Sequence, residues 1–148
     1  MKKILVLHGI NLNMFGKRDP AQYGTITLEE INKKLKDLAK ELGVELETFQ
    51  TNHEGGICEK IHQAHQENID AVVINAGAWT HYSYGLRDAL AILKAPIIEV
   101  HMSNIHAREE FRHTSVISPL AKGLICGLGV HSYLLGLRAA CELLKEGG

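Results

Sequence analysis

Five short runs of aliphatic and β-branched residues recur along the chain, and a helical pattern separates most of them from the next. The runs are Ile4-Leu5-Val6-Leu7, Val44 to Phe49, Ala71-Val72-Val73-Ile74, Ile97 to Val100, and Leu124-Ile125-Cys126. Helical periodicity covers Leu28 to Leu42, Ile57 to Asn68, Tyr84 to Leu93, a short turn near Ala107 to Phe111, and a last segment from about His131 to Leu144. Strands in such a βα alternation need helices on both faces of a parallel sheet. Right-handed crossovers with five strands favour the flavodoxin-like order 2-1-3-4-5, so the chain is expected to be a single α/β domain over residues 1–148.

Composition narrows the function classes. With 16 basic and 17 acidic side chains the net charge is -1, so no overall basic field exists to attract nucleic acid or an anionic membrane. Anion recognition must be local. Cys58, Cys126 and Cys141 are odd in number and scattered, which suits a reduced, cytoplasmic setting. The apolar run after Met1-Lys2-Lys3 is too short for a signal-peptide core or a membrane span.

Thr27 followed by Glu30 makes a capping box ahead of Leu28, Ile31, Leu35 and Leu38, which sets where the first long helix starts. The connection from His8 to Ile26 is then about twenty residues, where βα loops usually take two to six. Such a loop suggests a functional insertion over the sheet edge. In the 2-1-3-4-5 order the ligand crevice opens between strands 1 and 3, at their carboxyl ends. Asn11 follows strand 1, and Asn75 ends strand 3 ahead of Ala76-Gly77-Ala78-Trp79-Thr80-His81. Strand 4 ends in Glu99, His101, Met102 and Ser103. A lone asparagine here would read as a turn former, but three strand ends delivering polar groups to one place form a site.

Side chains two apart on a strand share a face, so Glu99 and His101 point the same way. They read either as a strand-end salt bridge or as a carboxylate orienting an acidic imidazole. A helical turn after them would put Arg108 and Arg112 on one face, offering two cations to an anion. In the long loop, Arg18 stands five residues before Tyr23, with turn formers around both. A tyrosine before glycine is commonly a surface aromatic; near the crevice it becomes a candidate base. A phenol of ordinary pKa near 10 is about one-thousandth ionised at pH 7, and Arg18 and Arg108 are the natural cations to stabilise its anion.

Two motifs are decoys. Gly127-Leu128-Gly129 follows a strand and opens a helix, but Ser132 occupies the third glycine position of a dinucleotide fingerprint and no ribose-binding acid follows. Nine histidines suggest a metal, yet there is no paired-histidine helix motif, Cys-x-x-Cys pair or calcium loop. His62 and His65 fit a solvated helix face, and no partner is evident for His53, His113 or His131. A tyrosine base held by arginines, an imidazole acid opposite and amide donors between suit proton abstraction beside a carbonyl, with loss of a protonated oxygen: a dehydration. Backbone amides at Met102-Ser103 would suit a substrate carboxylate.

Gly9-Ile10-Asn11-Leu12-Asn13, Gly16-Lys17-Arg18-Asp19-Pro20 through Tyr23-Gly24, Asn75-Ala76-Gly77-Ala78 with Thr80-His81, Leu86-Arg87-Asp88-Ala89, and Glu99 to Arg112 stand in order along the chain. In these motifs it closely resembles the type II 3-dehydroquinate dehydratases, cofactor-free dehydroquinases of the shikimate and quinate pathways. The resemblance implies anti elimination of water from 3-dehydroquinate through an enolate, giving 3-dehydroshikimate. It implies Tyr23 as base, Arg18 and Arg108 as supporting cations, Asn11 at the enolate oxygen, and His101, held by Glu99, as acid. It implies substrate binding by Asn75 and the Met102-Ser103 amides at the carboxylate, and by His81 and Arg112 at ring hydroxyls. A neighbouring subunit would add Asp88, within a homododecamer built as a tetramer of trimers. Ile10 stands where the family usually has proline, and Asp19 where it has glutamate. The competing reading is a flavodoxin-like hydrolase or isomerase of a related hydroxy acid; a receiver or flavin carrier is weaker, since no acidic cluster follows strand 1.

Overall fold

A computed structural model describes residues 1–17 and 19–147. Five parallel strands, β1 (Lys3–His8), β2 (Glu45–Gln50), β3 (Ala71–Asn75), β4 (Ile97–His101) and β5 (Gly123–Cys126), lie in the order β2-β1-β3-β4-β5. The expected sheet order is the observed one. The helices are α1 (Pro20–Tyr23), α2 (Leu28–Leu42), α3 (Glu54–Gln66), α4 (Tyr84–Ile92) and α5 (Val130–Glu146).

Residues alternate across the sheet with period two, and the core divides accordingly. Ile4, Val6, Val73, Ile98 and Val100 pack against Ile31 and Leu35 of α2 and Leu137 of α5. Leu5, Leu7, Val72, Ile74 and Ile97 pack against Ile57 and Ile61 of α3 and Leu86 and Leu90 of α4. The same parity continues into the polar strand ends. Asn75 follows Ala71 and Val73 onto the α5 side, whereas Glu99 and His101 follow Ile97 onto the opposite side.

Thr27 accepts the Glu30 amide at 3.2 Å and its own amide donates to Glu30 Oε1 at 3.1 Å, the reciprocal box that starts α2 where its periodicity indicates. At α5, a Cβ on Gly136 would lie 2.7 Å from Val100 Cγ1, so the missing side chain lets the helix seat against the sheet. The short α1 inside the long loop has no periodic signal. It forms because Asp19 accepts the Ala21 amide at 3.2 Å and Pro20 occupies the first helical position.

Candidate active site

The crevice at the carboxyl ends of β1, β3 and β4 is lined by Asn11, Tyr23, Asn75, His81, His101, Met102, Ser103, Arg108 and Arg112, with Ile10, Leu12, Gly77, Ala78 and Ile105. Of the other three expected site residues, the two that are described do not line it. Glu99 is fully buried behind His101. Asp88 lies on α4 with its side chain 78% exposed and 3.7 Å from Arg87, away from this pocket. Arg18 lies outside the described residues.

Two loops meet backbone to backbone at the mouth. A Cβ on Gly9 would lie 2.2 Å from the Ala76 carbonyl oxygen, and one on Gly77, whose φ is +62°, would lie 2.7 Å from that of Ile10. Only glycine allows this approach. Asn11 adopts the left-handed conformation, φ 69°, which asparagine tolerates better than most residues. Its amide donates to Asn52 Oδ1 at 2.8 Å, and Gln50 Nε2 donates to the same oxygen at 3.0 Å and to the Gly9 carbonyl at 3.1 Å. Here Gln50 at the end of β2 and Asn52 just beyond it steady the turn that carries Ile10.

On the opposite wall, His101 Nε2 lies 2.6 Å from Glu99 Oε2. Burial opposes ionisation of Glu99, but the hydrogen bond and charge of His101 and the hydroxyls of Ser118 and Ser115 together hold its carboxyl below the usual range. With Nε2 engaged, Nδ1 is the His101 nitrogen left for a ligand. Arg108 Nη1 donates to Tyr23 Oη at 2.7 Å and to Ser103 Oγ at 3.3 Å, and its guanidinium carbon sits 5.3 Å from the Tyr23 ring centre. Phe15 packs against the same ring at a tilt of 52°, with centroids 5.6 Å apart.

Arg108 and Arg112 do not share one helical turn. Arg108 is extended between two short 3₁₀ turns, Ile105–Ala107 and Glu110–His113, and both guanidinium groups nevertheless reach the pocket. Glu109 links them, 3.2 Å from Arg112 Nε and 3.8 Å from Arg108 Nε. His113 does have a partner, since its Nε2 lies 3.1 Å from the Arg108 carbonyl. His81 Nδ1 donates to the Thr114 carbonyl at 2.8 Å, which leaves Nε2 for a ligand. Burial lowers the His81 pKa; the Thr114 carbonyl opposes that, and His101 and Arg112 add to it.

Asn75 Oδ1 accepts the Gly77 amide at 3.1 Å, and Nδ2 donates to the buried Tyr133 hydroxyl at 3.0 Å, so one amide proton remains for a ligand. Tyr133, His8, Ser115, Ser118 and Glu109 were not singled out from the sequence as site residues. The register partnership of His8 with Asn75 was the one available hint. The glycine turn Gly127-Leu128-Gly129 has a structural task, its two glycine amides donating to the His101 and Met102 carbonyls at 3.2 and 3.1 Å. Among the described residues no group of three or more His, Cys, Asp or Glu could hold a metal, and no helix is long and apolar enough to cross a membrane.

Residues 2–141 match the family described as Dehydroquinase class II. A 3-dehydroquinate dehydratase of Syntrophotalea carbinolica is 74% identical over 98% of both chains, and one of Pelobacter propionicus is 70% identical over 99% of both. Among solved structures, the type II dehydroquinase of Propionibacterium acnes superposes with a TM-score of 0.92 at 46% identity, covering 96% of this chain and 97% of that one. By motif, strand order and full-length similarity alike, the chain belongs to the class II dehydroquinase family.

Proposed function

We propose that this protein is a lyase that dehydrates 3-dehydroquinate to 3-dehydroshikimate by anti elimination. The observation that carries the reading is the arrangement of two polar pairs on one pocket: Tyr23 Oη on Arg108 Nη1 at 2.7 Å, and His101 Nε2 on Glu99 Oε2 at 2.6 Å. A cation hydrogen-bonded to a phenol oxygen stabilises its anion, and a carboxylate behind an imidazole stabilises the imidazolium.

Tyr23, as phenolate, takes a proton from the carbon beside the substrate ketone. The C–H electrons pass to the carbonyl oxygen, and the resulting enolate is stabilised by Asn11, with an ordered water. Collapse of the enolate breaks the C–O bond of the leaving hydroxyl. His101 donates its Nδ1 proton to that oxygen, and water departs. The free Asn75 amide proton and the Met102-Ser103 amides bind the substrate carboxylate, and His81 Nε2 and Arg112 bind ring hydroxyls. Arg18 is assigned the role of a second cation supporting the Tyr23 anion.

Asp88 is assigned to the site of a neighbouring subunit, which accords with its exposure and its distance from its own pocket. That assignment requires an oligomer, and a homododecamer of four trimers in the cytoplasm is the form proposed. No cofactor enters the scheme. The test follows 3-dehydroquinate turnover by the conjugated enone absorbance of the product. Tyr23→Phe is expected to abolish turnover nearly completely while substrate still binds, and near-normal turnover in that variant refutes the assignment.

A further inference from the structure

The segment 114–118 lies behind the acid, where it touches Glu99, the partner of His101, and also His81, the other histidine of the pocket. Thr114 accepts from His81, the Val116 amide donates to the Thr80 carbonyl at 2.9 Å, and Ile117 is fully buried in the core. Its two serines converge on Glu99. Ser115 Oγ lies 3.0 Å and Ser118 Oγ 2.5 Å from the same carboxylate oxygen, Oε1, while His101 holds Oε2.

The donor directions are determined. Ser115 Oγ accepts the amides of Ile117 at 3.1 Å and Ser118 at 3.0 Å, so its single proton is left to point at Glu99. Ser118 Oγ has no hydrogen bond to any other described residue, and its proton also goes to Oε1. The strand neighbours of Glu99 are Ile74 and Leu124, both apolar. The other charged or titratable groups on the pocket wall are Tyr23, His81, Arg108 and Arg112.

We propose that Ser115 and Ser118 are positioning residues for the acid, fixing Glu99 as a carboxylate so that the proton between Glu99 and His101 stays on His101 Nε2. The inference rests on the assignment of His101 as acid. If that proton moved to Glu99, the carboxyl O–H would donate to Nε2, and the Nδ1 proton would belong to a neutral imidazole, a far weaker acid than an imidazolium. Two hydroxyl donors on Oε1 disfavour this transfer because each is lost or weakened when the carboxylate is neutralised. The pair would otherwise share its proton in a buried, apolar setting that favours the neutral arrangement.

The experiment uses the intact enzyme with 15N-labelled histidine, without substrate, alongside steady-state kinetics. In Ser118→Ala and in the Ser115→Ala/Ser118→Ala double variant, the His101 Nε2 resonance is expected to move from the protonated toward the imine position. Its assignment comes from its disappearance in His101→Asn. In Ser118→Ala, kcat is expected to fall about tenfold with KM within about twofold, and Ser118→Thr to restore both readouts. Ser118→Ala leaves the Ser115 turn intact, so it decides the matter even if the double variant does not fold. An unmoved Nε2 resonance in Ser118→Ala, or an unchanged kcat, overturns the proposal. Failure of the parent enzyme to turn over 3-dehydroquinate would instead overturn the functional assignment, which the NMR measurement does not depend on.

Discussion

The Tyr133 hydroxyl donates to Nδ1 of His8 across 2.9 Å in the fully buried layer between the sheet and α5. The direction follows from the neighbours. His8 Nε2 lies 2.8 Å from Asn32 Oδ1, an acceptor, so Nε2 carries the imidazole proton and Nδ1 accepts. The phenol oxygen in turn accepts from Asn75 Nδ2, and a one-way chain of donors runs from the pocket to α2.

Protonating His8 would set an Nδ1 proton against the phenol proton, and burial disfavours the charge further. Burial, opposed by the Asn32 hydrogen bond, brings the His8 pKa down from 6.5 to about 4. The unfolded chain therefore binds the extra proton first as pH falls. The stabilisation is complete above about pH 6.5, declines between 6.5 and 4, and the lost part corresponds to about 3 kcal/mol. Urea unfolding at pH 7 and pH 4 should show this slope in the parent and a shallower one in His8→Gln. Equal slopes would rule out His8 as the source.

Tyr133→Phe removes the relay's centre without opening a large cavity. It leaves the Asn75 amide and His8 Nδ1 without this partner, which should cost about 1–3 kcal/mol of stability. In kinetics the loss should appear in binding, because Asn75 is assigned to the substrate carboxylate: KM rises several-fold while kcat holds within about twofold. A fall in kcat at constant KM would show that the phenol acts on the chemistry.

Much of this was legible in the sequence, for reasons that can be named. Continuous apolar strands such as Ala71-Val72-Val73-Ile74 leave a covered parallel sheet as the natural outcome, and Thr27 with Glu30 marks the α2 start to the residue. Glu99 and His101 were legible as a pair because a strand's period of two is rigid. Apart from the pairing of Tyr23 with Arg108, contacts across long sequence separations were not. Tyr133 meets His8 from 125 residues away, and nothing in the α5 pattern separates it from a core aromatic. Ser115 and Ser118 sit in an aperiodic segment whose path is set by the burial of Ile117. The arginine pair was misread in its backbone, since Arg108 is extended and the two side chains converge from separate turns.

Gly77→Ala tests the backbone contact at the pocket mouth. The new Cβ would meet the Ile10 carbonyl oxygen at 2.7 Å and would hold a positive φ that costs alanine about 1–2 kcal/mol by itself. Both loops must shift, so the expected result is a lower melting temperature together with a raised KM, since Asn11 and Asn75 flank the contact. Gly43→Ala, also at positive φ but in open space after α2, should lower the melting temperature less and leave KM unchanged.

Arg108 and Glu109 are adjacent, yet their substitutions should differ sharply. The Arg108 side chain is 11% exposed, and a single guanidinium nitrogen serves both Tyr23 and Ser103. Lysine keeps the charge but replaces the planar fork with a compact ammonium on a flexible stem, so it cannot hold both oxygens in the same geometry. Arg108→Lys is therefore expected to lower kcat about 100-fold, the scale of losing one preorganised donor at a reacting charge. Glu109 is 56% exposed, and solvent screens its attraction for both arginines. Glu109→Gln should change kcat/KM by no more than about twofold. A comparison of the two variants at low and high salt separates the roles: the Arg108→Lys defect should persist in salt, and any Glu109→Gln effect should fade. If both defects fade equally, Arg108 acts through the general field of the pocket, and its 2.7 Å contact with Tyr23 is not what supports the base.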